Sequence, residues 1–145
     1  MTNSNILRDL IRALGKNIGA LEKSEIMCCG VPIGQCYAIL EIGLAEEISL
    51  IDLANLLNLD KSTMSRTVNS LVNRRLVERL IDTGNRRYVK IKLTEEGQGA
   101  FANINAIFDS YLKSVFESIS ENKRTQIMES IEILIEALKN KPCCY

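Results

Sequence analysis

The stretch "SLIDLANLLNLDKSTMSRTVNSLVNRRLV", residues 49–77, contains two helix starts in quick succession. Ser49 is a good N-cap with Asp52 three residues on, and Leu50, Leu53, Ala54 and Leu57 recur at helical steps. Asn58, Leu59 and Asp60 read as a tight turn. Asp60 then caps a second helix whose apolar face is Met64, Val68, Leu71 and Val72. Two short helices joined by so brief a turn are the helix-turn-helix pattern.

Immediately beyond, the apolar period changes from 3.6 to 2. In "YVKIKL" (88–93), Val89, Ile91 and Leu93 alternate with Tyr88, Lys90 and Lys92, and "LVERLI" (76–81) is a short β-prone run. Between them "DTGNR" (82–86) has the residues of a turn. A helix-turn-helix followed by a basic hairpin is a winged helix.

The flanks read as helix. Ile6, Leu7, Leu10, Ile11, Leu14, Ile18 and Leu21 recur at steps of three and four across about residues 4–27. "CCGVP" (28–32) is a break, and Pro32 suits the first turn of a helix running to Ala45. Thr94 with "EEG" starts a long helix carrying Phe101, Ile104, Phe108, Tyr111, Leu112 and Val115. Ser120 caps a last one with Ile127, Ile131, Leu134 and Leu138 along one face. The expected fold is mainly α with a small β-hairpin wing: one domain over residues 1–145, a winged helix-turn-helix at about 32–93 flanked by dimerisation helices at about 4–27 and 95–140. The apolar faces at the two ends exceed what the central module needs. They point to a homodimer, since C2 dimers are the commonest oligomers.

The net charge of zero hides an asymmetry. From Lys61 to Lys92 there are nine basic residues against Glu78 and Asp82, leaving +7, so the other 113 residues carry −7. A basic window between acidic segments points to an anionic partner with a defined docking face. The polar face of the second short helix holds Ser62, Thr63, Ser65, Arg66, Asn69 and Asn73, residue types that reach base edges and phosphates in a major groove. Lys61, Arg74 and Arg75 are placed to meet phosphates, Arg86 and Arg87 stand at the wing tip where an arginine enters a minor groove, and Lys90 and Lys92 lie on the wing's outer face. Asp82 is positioned to pair with a tip arginine. The partner these residues imply is double-stranded DNA.

With these motifs in hand, the chain resembles the MarR family of transcriptional regulators. The resemblance covers nearly the whole length. It rests on helix order, on "LDKSTMSRTVNSLVNRRLVER" (59–79) and on "DTGNRRYVKIKLTEEG" (82–97), where Asp82, Arg86, Arg87, Leu93, Thr94 and Gly97 fall on the family's wing pattern. Where the family often has an acidic residue at the wing tip, this sequence has Asn85. The resemblance implies a homodimer on a pseudo-palindromic operator, usually a repressor released by a small ligand, a metal ion or thiol oxidation.

The chain has five cysteines and no histidine, so any effector site built from its metal-ligating or redox-active side chains would be rich in sulfur. Cys36 lies between Ile33 and Leu40 on an apolar helix face and reads first as core, with a secondary place in a thiol cluster. Cys28 and Cys29 precede a helix start, where backbone N–H groups favour the thiolate. Cys143 and Cys144 follow Pro142 in the last residues. Brought together, these four thiols would form a redox disulfide or bind a soft ion such as Cu(I), Zn(II) or arsenite, without any required cofactor. No C-x-x-C spacing is present, which disfavours a zinc ribbon or a thioredoxin-type site.

Two other readings stay open. One is a regulator released by an aromatic ligand near Tyr37, with the cysteines incidental. The other is a thiol redox enzyme, disfavoured because there is no histidine to act as base and because an enzyme has no need of the +7 window. No apolar run is long enough to span a membrane, and the charged N-terminal segment is unlike a signal peptide, so a cytoplasmic protein is expected.

Overall fold

The computed structural model describes residues 2–25, 30–81 and 89–141, and both helix starts read from residues 49–77 are capped there. The elements are α1 (Asn3–Glu25), α2 (Ile33–Ala45), β1 (Glu47–Ser49), α3 (Leu50–Leu56), α4 (Lys61–Asn73), β2 (Val77–Ile81), β3 (Val89–Leu93), α5 (Glu95–Ser118) and α6 (Glu121–Asn140). They divide into two compact units, residues 1–108 and 109–145.

Local chemistry sets the ends of α3 and α4. Ser49 Oγ accepts from the Asp52 N–H at 3.1 Å, and Asp60 Oδ1 accepts from the Thr63 N–H at 2.7 Å. Each helix then closes with paired reverse bonds around one left-handed residue. For α3, Asn58 has φ 52°, with Leu59 N–H to Ala54 O at 2.9 Å and Asn58 N–H to Asn55 O at 3.3 Å. For α4, Arg75 has φ 61°, with Leu76 N–H to Leu71 O and Arg75 N–H to Val72 O, both 3.0 Å. These are Schellman closures, which satisfy the last carbonyls and turn the chain sharply. Asparagine tolerates the left-handed region; arginine there is uncommon.

The core sits where α2, α3, α4 and the sheet meet. Cys36, Ile39 and Ile42 of α2, Leu53 of α3, Met64, Val68 and Leu71 of α4 and Ile91 of β3 have no exposed surface. α5 joins this core through Ile104, which is buried, and through Phe101. A Cβ added at Gly43 of α2 would lie 2.3 Å from the Phe101 ring, so the glycine is what lets α5 approach.

The wing is a three-stranded antiparallel sheet in the order β1–β3–β2, with Val77 opposite Leu93, Ile81 opposite Val89, and Glu47 opposite Lys92. The expected alternation holds: Ile91 and Leu93 are buried while Lys90 is exposed. The third strand is an addition to the expected hairpin. Three residues, "EIS", carry no readable period, and their partner β3 lies far along the chain, so pairing alone makes them a strand.

Two local expectations are corrected. Pro32 occupies the N-cap of α2 and not its first turn, its carbonyl accepting from the Gln35 and Cys36 N–H groups. Ser120 is the N-cap of α6, but its side chain makes no capping bond; its carbonyl accepts from the Lys123 N–H instead. In this second unit Arg124 donates to the carbonyls of Ile119 (3.0 Å) and Glu117 (3.1 Å) and lies 5.0 Å from the Phe116 ring centroid. A cation at the last carbonyls of α5 is favoured by the helix dipole and by the ring face.

Candidate nucleic-acid interface

Met64, Val68 and Leu71 anchor α4 in the core, so the opposite face is presented outward. Lys61, Ser62, Arg66, Asn69 and Asn73 are exposed and Ser65 is half-buried. Arg66 Nε donates to Ser62 O on its own helix at 3.3 Å. Thr63 has a different duty from its neighbours: beyond its N–H bond, its hydroxyl donates to Asp60 Oδ2 at 2.9 Å, closing the cap. The Thr63 backbone bond, then its hydroxyl, then the Arg66 charge hold the Asp60 carboxyl below its ordinary range.

The neighbouring elements grip this helix at three points. Arg79 of β2 donates from Nη2 to Asn69 Oδ1. Gln35 of α2 donates from Nε2 to Ser70 Oγ at 2.8 Å. Arg74, at the C-cap, donates from Nη1 to Gly30 O at 2.9 Å. Arg79 and Gln35 escape a reading by sequence motif because both bonds cross between elements; the only prior signal for Arg79 is its place in the basic window.

The junction from β3 to α5 ties wing to helix. Thr94 N–H donates to Leu76 O (3.0 Å), Thr94 Oγ1 donates to Arg75 O (2.6 Å), and the same hydroxyl oxygen accepts from Gly97 N–H (3.0 Å). A Cβ at Gly97 would stand 1.9 Å from Leu76 O. The Leu-Thr and Gly positions of the wing pattern therefore have a structural purpose: they lock the end of α4, the base of β2 and the start of α5 together. On the outer wing face, Lys92 Nζ is 3.2 Å from Glu78 and Lys90 Nζ is 3.9 Å from Glu47, exposed pairs of small energetic weight.

Arg86, Arg87 and Asp82 of the wing, and Cys28, Cys29, Cys143 and Cys144 of the thiol set, lie outside the described residues. Cys36 is fully buried, its thiol donating to Val31 O at 3.5 Å, and Tyr37 is half-buried. Among the described residues no group of three or more His, Cys, Asp or Glu is placed to hold a metal ion, and no helix is long and apolar enough to cross a membrane. Within residues 109–145, an open groove of about 540 Å³ is lined by Leu112, Val115, Phe116, Ile127, Met128 and Ile131, among others.

Comparison with known proteins agrees with this architecture. Residues 30–87 match the family model described as MarR family. The HTH-type transcriptional regulator BilQ of Clostridium symbiosum is 25% identical over 112 residues, 77% of this chain and 78% of that protein. A MarR transcriptional regulator from Methanosarcina mazei is 26% identical with a TM-score of 0.78, over 94% of this chain and 99% of that one. The fold is also that of Streptococcus pneumoniae FabT in its complex with DNA, at a TM-score of 0.83 and 17% identity, over 95% and 99% of the two chains. The winged helix-turn-helix built on the α2–α3–α4 core is thus similar to the MarR family model over residues 30–87, and the chain shares the fold of MarR transcriptional regulators over 94% of its length.

Proposed function

We propose that the protein is a DNA-binding repressor that works in the cytoplasm as a homodimer on a pseudo-palindromic operator. α4 enters the major groove, with Ser62, Ser65, Arg66 and Asn69 toward base edges and Lys61, Arg74 and Arg75 near phosphates, while Arg86 and Arg87 of the wing reach an adjacent minor groove. The observation that carries this reading is the exposed polar and basic face of α4, fixed at both ends by caps and gripped from α2 and β2. The FabT complex with DNA supports it by likeness of fold. The apolar side chains that α1 and α6 leave exposed support the homodimer, in which each of these helices meets a second copy of the chain.

The effector acts through thiols: Cys28 and Cys29 with Cys143 and Cys144 form a disulfide or take a soft metal or metalloid ion. What supports this is connectivity. Gly30 follows Cys29 directly, and its carbonyl is the acceptor for Arg74 at the end of α4. A change of bonding at Cys29 is thus one residue from a contact that positions the DNA-reading helix.

The test is a DNA-shift titration of the reduced protein at rising salt, with and without arsenite, other soft metal ions and a peroxide. Specific binding that falls steeply with salt is expected, as is release by one of the thiol reagents. Salt-insensitive binding would sink the DNA reading, and an unchanged response after serine replaces all four cysteines would sink the thiol reading. Arg66→Ala should cost about 1–3 kcal/mol on operator DNA; an equal loss on random duplex would make Arg66 a phosphate contact only.

A further inference from the structure

The bond between Arg79 and Asn69 determines what the middle of α4 offers to a base. A guanidinium has only N–H donors and keeps its charge at any physiological pH, so the Asn69 atom that faces it is the amide oxygen, and the amide nitrogen is turned away from it. Both residues are exposed, and Asn69 shares its face of α4 with Ser62, Ser65 and Arg66. An unengaged asparagine is suited to adenine, because its oxygen accepts from the adenine amino group while its nitrogen donates to N7. Here the oxygen is already held by a cation. A second donor, the adenine amino group, would have to approach that oxygen against the adjacent positive charge. What the pair presents outward is the two amide N–H groups and the remaining guanidinium N–H groups, all donors. In the major groove, guanine is the base whose edge offers two adjacent acceptors, O6 and N7.

We infer that Asn69 and Arg79 form one donor-only specificity unit that selects guanine and excludes adenine at one position of each operator half-site. The inference rests on the proposed docking of α4 in the major groove. Arg79 acts partly by positioning: it orients Asn69 from β2, outside the recognition helix. Removing it frees the amide to rotate, which restores the adenine-compatible arrangement.

The experiment is selection of binding sites from a randomised duplex library by the full-length wild type, Arg79→Met and Asn69→Ala, with thermal melts to show that each variant is folded. Methionine keeps an unbranched apolar stem like that of arginine and removes the donors. Wild type should select guanine at one symmetric pair of positions. Arg79→Met should admit adenine there with a preference shift of roughly tenfold, and Asn69→Ala should lose discrimination at that position alone. Identical selected bases for wild type and Arg79→Met would overturn the inference. So would a uniform loss on selected and random duplexes with a shallower salt dependence, since that marks a phosphate contact. A wild type that retains no duplex at low salt would instead overturn the DNA reading itself.

Discussion

The winged-helix core and the helices at the chain's ends are built from the same kind of amphipathic sequence, yet their apolar side chains meet different fates. Ile39, Leu53, Met64 and Leu71 have no exposed surface, whereas Leu10 of α1 and Leu138 of α6 are 62% and 55% exposed, and no residue of α6 is buried. Apolar periodicity says that a face needs a partner; it does not say whether the chain itself supplies one. In the core the partner lies within a few tens of residues. For α1 and α6 the proposed partner is a second copy.

That contrast can be broken in order of expected effect. Leu71→Ala, in the fully packed centre, should lower unfolding free energy by about 2–5 kcal/mol in urea titrations; a loss no larger than that of an exposed position would mean the core is looser than its burial implies. Ile131→Asp, on the exposed face of α6, should leave helix content by circular dichroism nearly unchanged while sedimentation shifts from dimer to monomer. A variant that stays dimeric would place the interface elsewhere. Arg75→Gly removes the cost of a non-glycine residue in the left-handed position and should stabilise the fold by about 1 kcal/mol while weakening DNA binding through the lost cation. If both stability and binding fell, the side chain would be holding the turn.

The smallest effect concerns acid. Asp60 has a folded-state pKa below its ordinary value, so its capping contribution is fully present above the ordinary carboxylate range and fades as pH falls through the folded value. Asp60→Asn, which can still cap but does not titrate, should show a flatter fall of Tm below about pH 4 than the wild type. Parallel curves would show that the lowered pKa has no bearing on stability.

Much of the candidate site was legible because its determinants are local. Ser49 and Asp60 each cap the residue three positions ahead, and Met64, Val68 and Leu71 mark the inward face of α4, so the outward face with Arg66 and Asn69 followed by subtraction. Residues whose roles depend on distant partners were not legible in the same way. Arg74 reads as a phosphate contact, yet its guanidinium is also bonded to Gly30 O, forty-four positions back. Thr63 reads as a base contact, yet its hydroxyl completes the Asp60 cap.

By itself the sequence determined the order of helices, the two capped starts, the alternating β3 and the concentration of positive charge between Lys61 and Lys92. All of these are set by spacing along the chain, which is a property of the unfolded polymer as much as of the folded one. Tertiary structure decided that "EIS" becomes a strand, that Arg79 orients Asn69, and that Thr94 joins the end of α4 to the start of α5. A hydrogen bond between elements has no periodic trace, because it depends on where the packed core brings two backbones, and only burial of the shared apolar faces fixes that distance.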